Sequence, residues 1–243
     1  MNHISQNTVD GLLLVDKPQN CTSHDIVDFV RKHFGLKKVG HCGTLDPMAT
    51  GLLMLVVGRA TKVQDLLMSE DKEYAGRLKL GETTDTQDAE GQVLTSQPVP
   101  PLTEQQIDAA FSKFKGDFYQ IPPMVSALKK DGVPLYKLAR QGKTVEREPR
   151  LVHVYSYRIL SCQPPLVDFV LRCSKGFYVR TYCNDIGAEL GCGGHLAGLK
   201  RTRSGNFSLE QALGTQELQN MNSLQELKPR LLSLADISRI RRQ

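Results

Sequence analysis

Three short stretches carry side chains that could do chemistry. GHCGTLDPMATG, Gly40 to Gly51, sets one carboxylate, Asp46, among small residues, with His41 and Cys42 just before it. SKGFYVRTY, Ser174 to Tyr182, places Tyr178 two residues from Arg180, and Cys192-Gly-Gly-His195 has the C-x-x-H spacing of a half metal site. Asp before Pro starts a type I turn, because Asp accepts local backbone hydrogen bonds and Pro presets φ. A turn residue is therefore the commoner role for such an Asp. Gly40, Gly43, Ala49 and Gly51 point the other way, since they leave the backbone open around one carboxylate, as close approach of a bulky ligand requires.

Tyr178 and Arg180 alternate, and on a strand they would share a face. An Arg near a carboxylate keeps it ionised and orients it, and a tyrosine ring offers a stacking face for a base. The plainer alternative is a half-buried aromatic beside a snorkelling Arg. A zinc site needs about four ligands, usually as two spaced pairs. C-x-x-H and the adjacent His41-Cys42 do not make that set, and no metal is expected. The six cysteines (21, 42, 162, 173, 183, 192) contain no C-x-x-C pair and read as free thiols of a reducing compartment.

The elements that must position these residues follow from periodicity and punctuation. GLLLVDKP reads as a buried strand stopped by Pro18. TSHDIVDFVRKHFG reads as a helix capped by Thr22 or Ser23, with Ile26, Phe29, Val30 and Phe34 at helical spacing and Gly35 at its end. LLMLVVG is a buried strand, TKVQDLLMSED is helical, KEYAGRLKLG alternates like a strand, and TTDTQDAEG is a polar loop. After the proline-rich break SQPVPP comes a helix with Thr103 and Gln106 as capping box and Gly116 as terminator. LVDFVLRCSKGFYVRTY reads as strand, turn at Lys175-Gly176, strand, and CNDIGAELG as a helix ended by Gly191. The tail carries one or two short amphipathic helices. Strands and helices interleave without a βαβ rhythm, which predicts an α+β fold, a mixed and mostly antiparallel sheet flanked by helices.

The 243 residues suit one large domain or two small ones. The longest apolar run, Leu52 to Val57, is far short of the roughly 20 residues that span a bilayer, and the N-terminus lacks the pattern of a signal peptide. A cytoplasmic protein, away from the membrane, is expected. The net charge of +5 is unevenly spread. Leu128–Arg150 carries +4 (Lys129, Lys130, Lys137, Arg140, Lys143, Arg147 and Arg150 against three acids), and Lys228–Gln243 carries another +4. A further knot lies at Lys200, Arg201 and Arg203. Clustered positive charge fits a polyanionic partner, most simply nucleic acid, although a solvated surface has the same composition. P-loop, G-x-G-x-x-G, H-E-x-x-H and G-x-S-x-G motifs are missing, which argues against nucleotide-dependent, zinc-protease and serine-hydrolase chemistry.

Five blocks, GLLLVDKPQNCTSHDIV, GHCGTLDPMATGLL, DKEYAGRLKLGETTDTQDAEG, IPPMVSALKKDGVPLYKLARQG and CSKGFYVRTYCNDIGAELGCGGHL, occur in order over most of residues 11–205. Together they resemble the TruB family of pseudouridine synthases, which isomerise a uridine, position 55, in the T loop of tRNA. The resemblance implies an isomerase without cofactor. It implies Asp46 as the catalytic aspartate, Tyr74 as the tyrosine that stacks on the target base and acts in proton abstraction at C5, and Arg180 as the partner of Asp46. For substrate binding it implies Tyr178, His41 (holding the loop open around the flipped nucleotide), Leu199, and the Lys17-Pro18 segment that supports the pocket. Lys129, Lys130, Lys137, Arg140, Lys143, Lys200 and Arg201 are the expected phosphate contacts.

The basic stretch at about 124–151 matches the family's mobile insert. A tRNA T arm is the expected partner, without guide RNA and with the protein a monomer. The expected organisation is a single catalytic domain over 1–243, with a helical tail at about 208–243 and no PUA domain, the small RNA-binding module with which bacterial relatives usually continue. The chain departs from the family at Cys42 and Thr44, where many relatives have Thr or Val and Ala. Two other readings stand beside this one: an RNA-binding or tRNA-folding module with secondary activity, and a catalytic subunit acting on another RNA in a guide-dependent complex.

Overall fold

The computed structural model describes residues 9–242. The strands are β1 (Gly11–Lys17), β2 (Val39–His41), β3 (Thr50–Val57), β4 (Lys72–Leu80), β5 (Glu82–Thr84), β6 (Val93–Ser96) and β7 (Gly116–Gln120). They continue as β8 (Lys129–Lys130), β9 (Val133–Pro134), β10 (Arg150–Gln163), β11 (Leu166–Cys173), β12 (Gly194–Ser204), β13 (Phe207–Ser208) and β14 (Leu213–Gly214). The α-helices are α1 (Ser23–His33), α2 (Gln64–Met68), α3 (Glu104–Ser112), α4 (Leu135–Ala139), α5 (Val179–Glu189), α6 (Thr215–Asn220), α7 (Leu224–Leu227) and α8 (Leu234–Arg241). The class is α+β, as expected. Packing divides the chain into two compact units, Met1–Lys72 with Lys200–Gln243, and Glu73–Leu199.

In the first unit β3 is the organising strand. β1 pairs with it antiparallel from Gly11↔Val57 to Lys17↔Gly51, β2 pairs antiparallel at its far end, and β12 joins it in parallel at Lys200↔Thr50 and Arg201↔Gly51. β14 adds a parallel edge to β1. A strand covered on both faces must be apolar throughout, and Gly51 to Val57 are all buried. Leu12, Leu14, Leu52, Met54, Phe207 and Ile237 share one core. Ile237 comes from α8, so the basic tail helix is also a structural part of this unit.

In the second unit β10 lies between β11 and β7, both antiparallel, with β4 beyond β11. Helices α3 and α5 meet through a ring cluster in which Phe111 touches Phe169 and Tyr182 edge-on. Between β7 and β10 the basic insert forms the small β8–β9 hairpin, α4 and an irregular return.

The expected helix starts are capped. Thr22 caps α1 in a box with Asp25, and Thr103 caps α3 in a box with Gln106. Gly35 and Gly191 take φ of +61° and +75° just past the ends of α1 and α5. Gly116 does not terminate α3, which ends at Ser112. Instead, Gly116 opens β7. The larger correction is at FYVRTY. Tyr178 is the residue before α5, and Arg180 is in that helix rather than on a strand. Val179, Tyr182, Cys183 and Ile186, at i, i+3, i+4 and i+7, are all buried. That helical stripe outweighs the strand preference of Phe-Tyr-Val once the aromatic cluster is there to receive it.

Removing the α3 cap by Thr103→Ala should lower stability by about 1 kcal/mol. Urea denaturation should report this as a lower midpoint with an unchanged slope.

Candidate active site

Asp46 sits in the eight-residue connection between β2 and β3, two strands that are themselves paired. The Asp-Pro turn forms as its chemistry demands, with the Ala49 N–H donating to the Asp46 carbonyl at 3.0 Å. Leu45 and Met48, 3% and 4% exposed, anchor the turn in the core on either side of Asp46, which is half-buried.

Three side chains from elsewhere in the unit hold this loop. Ser23, buried at the start of α1, donates its hydroxyl to the Leu45 carbonyl at 3.0 Å and accepts from the Leu45 N–H at 2.8 Å. Lys17, 0% exposed at the end of β1, donates to the carbonyls of Pro18 (2.9 Å), Cys21 (2.7 Å) and Pro47 (3.3 Å). The Asn20 N–H also donates to Pro47, at 2.9 Å. Arg201, 1% exposed on β12, donates to the carbonyls of Leu52 (2.7 Å) and Gly43 (3.1 Å). Hydrogen bonds from charged donors contribute about 1.5–3 kcal/mol each.

One sequence expectation changes here: Arg201 is buried with its guanidinium held by the Leu52 and Gly43 carbonyls, and is not a surface phosphate contact. Lys17 is buried and braces the loop, whereas its neighbour Pro18 is exposed.

His41 ends β2, half-buried, and its carbonyl accepts from the Gln64 side-chain amide at 3.2 Å. Its Nδ1 is buried with no hydrogen-bond partner among the described residues. Burial, then the Arg201 guanidinium and His24, hold its pKa below the ordinary 6.5. Cys42 is packed in the core, and burial pushes its thiol up to about 12, which makes it an inert filler.

The second unit carries the other expected residues. Tyr74 lies on β4, 8% exposed, and Leu199 is half-buried on β12. Both main-chain groups of Tyr178 are held by one buried side chain: its N–H donates to Gln120 Oε1 (2.8 Å), and Gln120 Nε2 donates to its carbonyl (3.1 Å). Arg180 is 4% exposed in the first turn of α5, where the helix dipole opposes a cation. Its neighbours compensate. It donates to the carbonyls of Thr86 (3.0 Å) and Val125 (2.8 Å), and its Nε lies 3.6 Å from Asp88 Oδ2.

Asp88 is itself 3% exposed and accepts from Thr86 Oγ1 (2.5 Å) and the Glu90 N–H (3.1 Å). TTDTQDAEG is therefore a fixed platform for Arg180. Asp88 and Gln120 are residues that sequence reasoning did not single out, and Ser23 was read only as a possible helix cap. The signal for Asp88 was an acid-rich turn next to a chain needing a cation partner, but nothing local pairs the two.

Lys129, Lys130, Lys137, Arg140 and Lys143 are all exposed on the insert, as is Lys200 on β12. Arg147 ties the return of the insert to the Pro122 carbonyl at 3.0 Å. His195 is buried against the Glu82 carbonyl (3.3 Å). Among the described residues no three His, Cys, Asp or Glu side chains group as metal ligands, and no helix is long and apolar enough to cross a membrane.

Residues 31–179 match the family described as TruB family pseudouridylate synthase (N terminal domain), and residues 180–235 match the tRNA pseudouridylate synthase B C-terminal domain. The chain is 53% identical to tRNA pseudouridine synthase B of Opitutus terrae over 92% of both chains. It is 47% identical to that of Syntrophotalea carbinolica, covering 95% of this chain and 75% of the relative. Among solved structures it resembles a chain of a Cbf5-Nop10-Gar1 complex (30% identity, TM-score 0.68, 86% of this chain and 53% of that one). It also resembles a chain of the archaeal box H/ACA sRNP Nop10-Cbf5 complex (28%, 0.65, 89% and 55%). The chain spans about half the length of those two.

His41 should titrate below 6.5, remaining neutral at pH 7. Its contribution to stability is then full above the unfolded value and is lost as pH falls through the lower folded value. An NMR titration of the His41 ring checks this, and a midpoint at or above 6.5 would contradict the burial and Arg201 effects.

Proposed function

The chain belongs to the TruB family of pseudouridylate synthases, and on that premise we propose that it converts uridine 55 in the T loop of tRNA to pseudouridine. The observation that supports this most is the 53% identity to a tRNA pseudouridine synthase B along nearly the whole of both chains. Asp46, the carboxylate to which the family resemblance gives the catalytic role, is mounted on a loop that three buried side chains hold in place.

The reaction breaks the C1′–N1 bond of the nucleotide, turns the base, and joins C1′ to C5. The proton on C5 is lost and N1 gains one, so the change is an isomerisation with no net redox step. Asp46 could attack the base, attack the sugar, or take a proton from the ribose, and each route requires it ionised at neutral pH. Arg180 supplies the favourable charge. It is held by Asp88 and two carbonyls, so it acts as a fixed positive charge and need not reorganise during the reaction. Tyr74 takes the C5 proton and stacks on the base with Tyr178, while Leu199 gives the pocket an apolar wall.

The target uridine must leave its stack, at a cost of a few kcal/mol. His41, neutral at pH 7, supports the opened loop of the RNA without adding a charge. Lys129, Lys130, Lys137, Arg140, Lys143 and Lys200 meet phosphates. Affinity then comes largely from charge and RNA shape, and falls with salt. The protein acts as a monomer on tRNA alone in the cytoplasm, and its free cysteines fit that compartment.

Unmodified tRNA incubated with the protein, without any guide RNA, should acquire pseudouridine at position 55 and at no other T-arm uridine. Asp46→Asn should lower that turnover by roughly 10³-fold or more while tRNA binding stays nearly intact. Appreciable turnover by Asp46→Asn, or product only with a guide RNA, would overturn the proposal.

A further inference from the structure

Arg201 holds a buried charge whose described hydrogen bonds go to two main-chain carbonyls rather than to a carboxylate. Burying a guanidinium on neutral acceptors costs desolvation energy that two such bonds recover only in part, and an apolar residue of similar volume would often be as stable there. The choice of acceptors gives the charge a purpose. Gly43 lies at the start of the loop that carries Asp46 and Leu52 lies in β3, the strand that the loop enters, and one planar fork joins them.

The main chain of Arg201 is fixed as well. It pairs with Gly51, where φ is +97° and an added Cβ would lie 2.3 Å from the Arg201 carbonyl oxygen. At the start of the loop, a Cβ on Gly43 would lie 3.5 Å from the guanidinium, so the main chain there packs against the fork. The same charge acts on His41 at the loop's entrance, together with His24, the two charged groups that bear on that ring.

We infer that Arg201 is a positioning residue for Asp46: its guanidinium ties the start of the carboxylate loop to the strand that follows it and so fixes where the carboxylate points. This rests on the pseudouridine synthase reading above, and it assigns Arg201 to the rate of the chemical step rather than to RNA affinity. A lysine keeps the charge but cannot bridge two carbonyls in one plane. A methionine keeps the length but neither the charge nor the donors.

The test measures single-turnover pseudouridine formation and tRNA affinity for the wild-type protein, R201K and R201M, with melting curves for all three. The rate on saturating tRNA should fall about 100-fold in R201M, the scale expected when a reacting group is misplaced by about 1 Å, and about 10-fold in R201K. Affinity and its salt dependence should match wild type in both. The His41 NMR midpoint should rise in R201M, which loses the neighbouring cation, and stay near wild type in R201K. Weaker binding with a shallower salt dependence and a normal rate on bound tRNA would overturn the inference in favour of a phosphate contact. A rate unchanged in R201K, or a loss that only follows the unfolded fraction, would also overturn it. If R201M does not fold, R201K alone decides by the same split between rate and affinity. If the wild-type protein makes no pseudouridine, the functional reading fails, whereas an unmoved His41 midpoint in R201M counts against Arg201 itself.

Discussion

The structure of the first unit turns on the immobilisation of one short loop by buried polar side chains. A carboxylate that must be ionised and aimed cannot sit on a freely moving connection, because each mobile residue fixed at the moment of reaction adds conformational entropy to the barrier. Here that ordering is done during folding. Ser23 from α1, Lys17 from β1 and Arg201 from β12 each satisfy main-chain groups of the loop, and Leu45 and Met48 anchor it by their burial. β1 and β12, which carry two of these side chains, pair directly with β3. Much of the first unit can therefore be understood as support for a single turn.

The second unit uses the same device. Gln120 holds both main-chain groups of Tyr178, and the Thr84–Glu90 turn, through Asp88 and the Thr86 carbonyl, holds Arg180. Arg180 is a cation in the first turn of a helix, which the helix dipole disfavours. It remains there because an anion and two carbonyls meet it in the interior. In both units the polar interior costs stability relative to an apolar core, and that cost falls on the residues which, on the proposed function, must not move.

Much of this was legible in the sequence because it is local. Asp46-Pro47 announced its turn, Thr22 and Thr103 announced their helices, and the apolar run Leu52–Val57 announced a buried strand. The basic insert was evident from its clustered charge. What could not be read depends on partners far along the chain: Arg201 meets Gly43 across 158 residues, Arg180 meets Thr86 across 94, and Gln120 meets Tyr178 across 58. An Arg in a basic knot looks the same in sequence whether it faces solvent or a carbonyl pair. FYVRTY was misread because local strand preference was weighed without the stripe of Val179, Tyr182, Cys183 and Ile186, whose spacing was available.

On this structure the Asp46 loop is ordered before any RNA arrives. Amide hydrogen exchange of the protein alone tests this directly, at Leu45, whose N–H is held by Ser23, and at Ala49, whose N–H closes the turn on Asp46. Both amides should exchange as slowly as the paired amides of β3, opening only with the unit as a whole. Exchange at the rate of the exposed insert around Lys137–Lys143 would contradict it, and would mean that the RNA, not the fold, sets the loop.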